Sequence, residues 1–208
     1  MKVYKIITAI NIMVFMIPFV LDLVLNTSIT NLIILLGSLK GFQTGLFNPL
    51  QFLTAPFLHA GLLHLFVNMY ALAYSVGPDV NKIFKNKNFL IVYICSAFTG
   101  SLASALFLTN PAGSVGASGA IMGLVGALAA FSVRAEIWNL FGSITAIVLL
   151  NFYLGFTLPN IDNWGHFGGL LGGFVIGYFL LTPKIKSPEP VRYTPDELEV
   201  DRDAVVEN

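Results

Sequence analysis

The chain has 208 residues, 56% of them hydrophobic and only 11% charged, with a formal net charge of zero and a mean hydropathy of +0.79. This excludes a soluble domain and describes a polytopic membrane protein of the all-α class. The neutral balance offers no basic face for nucleic acid, the lone Cys95 excludes an internal disulfide or a thiolate cluster, and three histidines without an acidic cluster point to no metal and no cofactor.

A helix needs roughly 20 apolar residues to cross a bilayer core. Six stretches qualify in chain order: 6–25, 60–77, 89–108, 115–133, 137–156 and 164–182. The start, Met1-Lys2-Val3-Tyr4-Lys5, leads into an apolar run to Leu25 with no small-residue cleavage pattern, so it reads as a retained first span rather than a signal peptide. Pro18 and Asp22 predict a kink or an exit from the membrane near its end. The connection 26–57 holds an apolar piece, Leu32 to Leu36, followed by Gly37, Gly41, Gly45, Asn48 and Pro49. It is too long for a turn, and it predicts a partly membrane-embedded loop resting on the bundle. Beyond the membrane domain of residues 1–182 come Pro183, Pro188, Pro190 and Pro195 among alternating charges, with seven of the eleven acidic residues of the chain. Residues 183–208 therefore read as a polar, disordered cytoplasmic tail.

Cation placement orients the spans. Lys2, Lys5, Lys82, Lys85, Lys87, Arg134, Lys184, Lys186, Arg192 and Arg202 fall on one side of a six-span arrangement, and only Lys40 falls on the other. That bias puts both termini in the cytoplasm and the long first loop outside, which in a prokaryote means the cell membrane. The second, fourth and sixth spans then begin at the external face.

The fourth begins with GSVGASGAIMGLVGA, residues 113–127, where small residues recur at three- and four-residue spacing and leave one helix face nearly bare. Bare faces let membrane helices approach closely. Gly165, Gly169, Gly173 and Gly177 give the sixth span the same property. At one depth near the external ends sit His64 and Asn68 on the second span, Ser118 on the fourth and His166 on the sixth. A membrane serine ordinarily bonds a carbonyl one turn back, and a lone histidine is ordinarily structural. Four such residues converging from three helices point instead to chemistry, since polar groups within a bilayer are costly. Ser118 beside His166 supplies a nucleophile and a base; His64 and Asn68, four apart on one face, supply donors for an oxyanion. Asp162 lies near His166 in sequence but at the loop, and Asp22 and Asp79 lie at span ends, so no acidic third member is counted. His59, where the loop joins the second span, is assigned to fixing that loop.

The pieces His59-Ala-Gly-Leu-Leu-His64-Leu-Phe-Val-Asn68, Gly116-Ala-Ser118-Gly119 and Gly165-His166-Phe-Gly-Gly169-Leu-Leu-Gly-Gly173 resemble the rhomboid intramembrane serine proteases in order and spacing across the whole six-helix core. The resemblance implies a Ser118–His166 dyad, oxyanion contacts from His64, Asn68 and backbone N–H groups near Ser118, and a water-filled cavity open to the outside. It implies that the partners are single transmembrane helices of other proteins in the lipid bilayer, and it leaves open whether two copies pair as a homodimer. Three positions depart from the family pattern. Met122 stands where an aromatic ring often stacks on the histidine, Leu50-Gln51 where a Trp-Arg pair is common, and Asn81 where a glutamate is frequent. A catalytically silent adaptor that binds membrane helices is the alternative reading, although such relatives lose the serine or the histidine.

Overall fold

A computed structural model of the chain describes residues 2–158 and 160–181. The predicted tail, 183–208, and the last residue of the sixth predicted span lie outside the described residues. The described residues are helical, with no strand beyond an isolated antiparallel bridge between Leu39 and Ser114.

Helix α1 (Val3–Leu25) turns Ile7, Asn11, Phe15 and Pro18 inward, while Leu23 and Val24 are 71% and 74% exposed. That is the pattern of a helix with one packed face and the rest toward lipid. The break expected near Pro18 and Asp22 does not end the helix, which runs on to Leu25 and stops at Asn26 in the left-handed conformation (φ 51°). Asp22 instead serves the next helix, α2 (Ile29–Gly37). Its carboxylate accepts from the Ile29 and Thr30 N–H groups at 2.6 and 2.9 Å and from the Thr27 hydroxyl at 2.8 Å. It thus satisfies open donors at the start of α2. The apolar piece of the loop is this helix, and Leu32, Leu35 and Leu36 on it are exposed.

The remainder of the loop folds through short turns at Phe42–Thr44 and Ala55–Phe57 around α3 (Gln51–Thr54). A run of ring contacts, Phe42–Phe47, Phe47–Phe52 and Phe52–Phe98, fastens it sideways to the bundle. Gln51 is buried, and its carbonyl accepts from the Lys40 and Asn48 N–H groups, so it organises the loop from within.

Next come α4 (Leu62–Tyr70), a π-helical stretch Ala71–Ser75, and α5 (Val76–Phe107) in one continuous run. Lys85 interrupts α5 with φ 61° and ψ 172°, dividing it into two helices across a sharp bend. Val3 N–H and the Asn81 amide both donate to Asn86 Oδ1, so the bend and the start of α1 share one anchor. Helices α6 (Ser118–Arg134), α7 (Trp138–Thr157) and α8 (Asn163–Leu180) complete the described residues. Three stretches, Val3–Leu25, Leu62–Phe107 and Trp138–Thr157, are long and apolar enough to cross a membrane. The apolar α6 is shorter, and α8 is diluted by its glycines and its polar first turn.

Helices α6, α8 and the second half of α5 form the most closely packed unit of the molecule. The reason is a register of glycines. A Cβ at Gly169 would run into the Gly119 carbonyl, one at Gly173 into the Gly123 carbonyl, and one at Gly177 would lie 2.8 Å from Ala127 Cα. Every fourth residue of α8 therefore touches the backbone of α6, the close approach expected of two bare faces. On the third side, Gly100 of α5 would meet the Gly165 carbonyl at 2.7 Å if it carried a Cβ. In contrast, α7 buries only Ile144 and Gly155.

Candidate active site

Ser118 is the first residue of α6 and is half-buried. The backbone leading to it is held by the long loop. Leu39 and Ser114 exchange two N–H···O bonds of 2.8 and 2.9 Å, and Gly116 N–H donates to the Ala55 carbonyl at 2.9 Å. The Ser38 hydroxyl donates to the Ala112 carbonyl. Lys40, only 4% exposed, donates through Nζ to the Pro111 and Ala112 carbonyls at 2.9 and 2.8 Å. Burial pushes the pKa of this ammonium down; the two carbonyls compensate part of that cost.

Gly116 has φ +131°, a region that side chains rarely adopt. The space there is also taken. A Cβ would sit 2.9 Å from both Cε1 and Nε2 of His64 and 3.6 Å from Ser118 Oγ. The His64 ring and the serine hydroxyl therefore flank one point, which places residues of α4 and α6 in one site. His64 Nδ1 accepts from the Ala60 N–H at 3.4 Å. In the neutral ring that leaves the proton on Nε2, the nitrogen facing Gly116. Asn68 is buried, and its amide donates one hydrogen to the His64 carbonyl at 2.9 Å; its second amide hydrogen is the one available to a ligand.

His166 lies in the first turn of α8, 8% exposed, and its Nδ1 makes no hydrogen bond within the protein. It shares with Ser118 a small, partly open cleft. Gly100, Ser101, Ser104, Gly119, Asp162 and Gly165 also line it. The small residues that bring the three helices together, Gly100, Gly119 and Gly165, also border this gap at one end of their contact. Met122 is buried one turn below Ser118 and does not line the cleft. His59 is wholly buried and stands edge-on to His64, ring centroids 5.2 Å apart. It also faces a small apolar cavity lined by Phe15 and Pro18 of α1 and by Thr30 and Ile34 of α2. Burial, reinforced by His64 and opposed by the Phe57 backbone, pushes its pKa down to about 4. A neutral ring wedged between loop and helices suits the structural role assigned to it.

Asp162, set aside on sequence grounds as a loop residue, is placed in the cleft. It is the N-cap of α8, its Oδ1 accepting from Gly165 N–H at 2.9 Å. The Ser104 hydroxyl of α5 donates to its Oδ2, and its backbone carbonyl accepts from His166 N–H at 3.1 Å. Among the described residues, Asp162 and His64 are titratable neighbours of the His166 ring. The available signal was the four-residue spacing of Asp162 and His166, one turn of helix.

Comparison with known proteins bears on the same residues. A sequence model of the Rhomboid domain matches residues 46–183. The chain is 43% identical over 137 residues to the Rhomboid protease GluP of Bacillus subtilis, covering 64% of this chain and 26% of that protein. It is 40% identical over 138 residues to RHOMBOID-like protein 7 of Arabidopsis thaliana, covering 63% of this chain and 42% of that one. Inactive RHOMBOID-like protein 8 of the same plant is 37% identical over 148 residues, covering 67% of this chain and 41% of that one. The aligned part therefore spans between 26% and 42% of these relatives' own length. The domain match takes in α3 to α8 and with them His59, His64, Asn68, Ser118, Met122, Asp162 and His166, and the chain belongs to the rhomboid family.

Proposed function

We propose that the chain is an intramembrane serine endopeptidase that cuts transmembrane segments of other membrane proteins. The observation that carries this reading is that Ser118 and His166, from two helices in glycine contact, line one cleft. In this mechanism Ser118 Oγ attacks the scissile carbonyl carbon while His166 takes the hydroxyl proton. The oxyanion receives hydrogen bonds from His64 Nε2–H, from Asn68, and from the open N–H groups of the first turn of α6, which have no carbonyl above them. The C–N bond then breaks as the imidazolium returns its proton to the leaving amine. A water, deprotonated by the same base, hydrolyses the acyl-enzyme.

The same reading makes α1, the two halves of Leu62–Phe107, α6, α7 and α8 six crossings of a cell membrane. Both termini are then cytoplasmic and the cleft opens outward. The one cation that opposes this orientation, Lys40, is buried against carbonyls and is no solvated loop charge. The exposed α7 is the element whose displacement would admit a substrate helix beside the cleft.

Cleavage of a transmembrane substrate by the purified protein is the expected result, with loss of activity in both Ser118→Ala and His166→Ala. Undiminished cleavage by either variant refutes the assignment. The competing reading is a silent helix-binding adaptor, prompted by the relative whose name calls it inactive. A fluorophosphonate probe decides between the two, since it labels Ser118 only where the serine is activated.

A further inference from the structure

We propose that Asp162 is a positioning residue for His166, a carboxylate fixed between the Ser104 hydroxyl and the Gly165 N–H that supplies the negative charge the imidazolium meets when Ser118 gives up its proton. The proposal rests on the protease reading and adds an acidic member to a site that the sequence presents as a dyad.

Three features of the structure support it. Asp162 is built in from two helices, because its Oδ1 takes the Gly165 N–H at the head of α8 while its Oδ2 takes the Ser104 hydroxyl of α5. Room for it comes from a glycine. A Cβ on Gly165 would lie 2.8 Å from both Asp162 Oδ2 and Ser104 Oγ, so any larger residue there would push the carboxylate away. Finally, Asp162 lines the same cleft as Ser118 and His166 and lies one turn before the histidine.

The chemistry asks for such a group. During acylation the proton moves from Ser118 Oγ to His166 and back out on the leaving amine, so a cation exists transiently on a ring that is only 8% exposed. An uncompensated charge is costly there. His64, a second titratable neighbour of the ring, is itself a base and offers no counter-charge. Asp162 exchanges no proton in this scheme, so the proton balance of the reaction is unchanged. Its influence is exerted through His166 and not on the substrate.

A cap alone would not distinguish aspartate from asparagine, which cap helices about equally well. Asp162→Asn therefore keeps the shape and deletes the charge, while Asp162→Glu keeps the charge and disturbs the shape. The experiment measures kcat and KM on a transmembrane substrate, the rate of fluorophosphonate labelling of Ser118, and the melting temperature, for the whole chain in detergent. Asp162→Asn is expected to melt close to the parent with KM within about twofold, yet to lose about tenfold or more in kcat and labelling rate. Asp162→Glu is expected to retain more activity than Asp162→Asn. Should Asp162→Asn fail to fold, Ser104→Ala carries the test, since it leaves cap and charge but frees the carboxylate; a fall in kcat of about threefold or more at unchanged KM is expected. Parent-like kcat in Asp162→Asn, or in Ser104→Ala where that is the variant read, overturns the proposal. So does an Asp162→Asn variant more active than Asp162→Glu. A parent protein that neither cleaves nor labels refutes the protease reading and the proposal with it, whereas an active parent with an indifferent Asp162→Asn removes the proposal alone.

Discussion

Gly116 shows how much of the site rests on a single missing side chain. Its φ of +131° and its 2.9 Å approach to the His64 ring act together, so Gly116→Ala meets both backbone strain and a ring that must move. We expect a destabilisation of about 1–3 kcal/mol, read as a lower melting temperature, and a drop of about tenfold or more in kcat/KM. His59 makes a prediction of a different kind. Its pKa of about 4 in the folded protein lies below the 6.5 of an unperturbed imidazole, so between those values the unfolded chain binds the extra proton. Stability is full above about pH 6.5 and falls as the pH drops toward 4, by on the order of 3 kcal/mol in all. Thermal melts across that range should show the slope, and His59→Gln should flatten it. At this scale the sequence was informative about Ser118, His64, Asn68 and His166, because their positions follow helical spacing and span ends. It led Asp162 to be set aside, although the spacing from His166 was there to read. A residue just outside a helix reads as loop, and only the fold reveals that its carboxylate turns back to the Gly165 N–H and across to Ser104.

Among the elements, α6 and α8 behave as one part. Their contact is backbone on backbone, so it has no side-chain slack to absorb a substitution. Gly173→Leu, which would drive a Cβ into the Gly123 carbonyl, is expected to separate the helices, lower the melting temperature steeply and abolish cleavage. Gly142→Leu on α7 is the control: nothing lies within 4 Å of a Cβ there, and melting should be nearly unchanged. The glycine period of 169, 173 and 177 made this pairing readable in advance. The docking of the 26–57 loop was readable only as a general expectation. Its ties are backbone bonds from Leu39 and Gly116 and a lysine reaching two carbonyls, and such bonds leave no periodic trace in a sequence. Lys40→Met, which keeps the aliphatic stem but removes both bonds, is expected to loosen residues 111–116 and lower kcat/KM by about threefold or more with little change in melting temperature.

For the molecule as a whole, the proposed orientation is open to a direct check because Cys95 is the only cysteine. In a Cys95→Ala background, Asn110→Cys should react with a membrane-impermeant maleimide applied to intact cells, and Lys87→Cys only after permeabilisation. The reverse pattern would overturn the orientation. The count of six crossings came from hydropathy with charge placement, whereas three stretches qualify by length and hydropathy within the described helices. The difference has a physical origin. Lys85 bends one long run into two, α6 is apolar but short, and α8 is diluted by the glycines that let it pack closely on α6. The alternation of cations is a separate argument for six crossings, and the labelling experiment tests it directly.

The clamp between Lys40 and the Pro111 and Ala112 carbonyls joins residues 71 and 72 positions apart, and this has a consequence for how the chain is made. A ribosome delivers Lys40 long before its partners, then the serine, and the histidine only with the final helix. Each closing contact pairs an early segment with a much later one, so no partial product of translation contains an assembled site. On the protease reading, a newly inserted chain lies inert among its prospective substrates, and its competence to cut arrives only as synthesis of the domain ends.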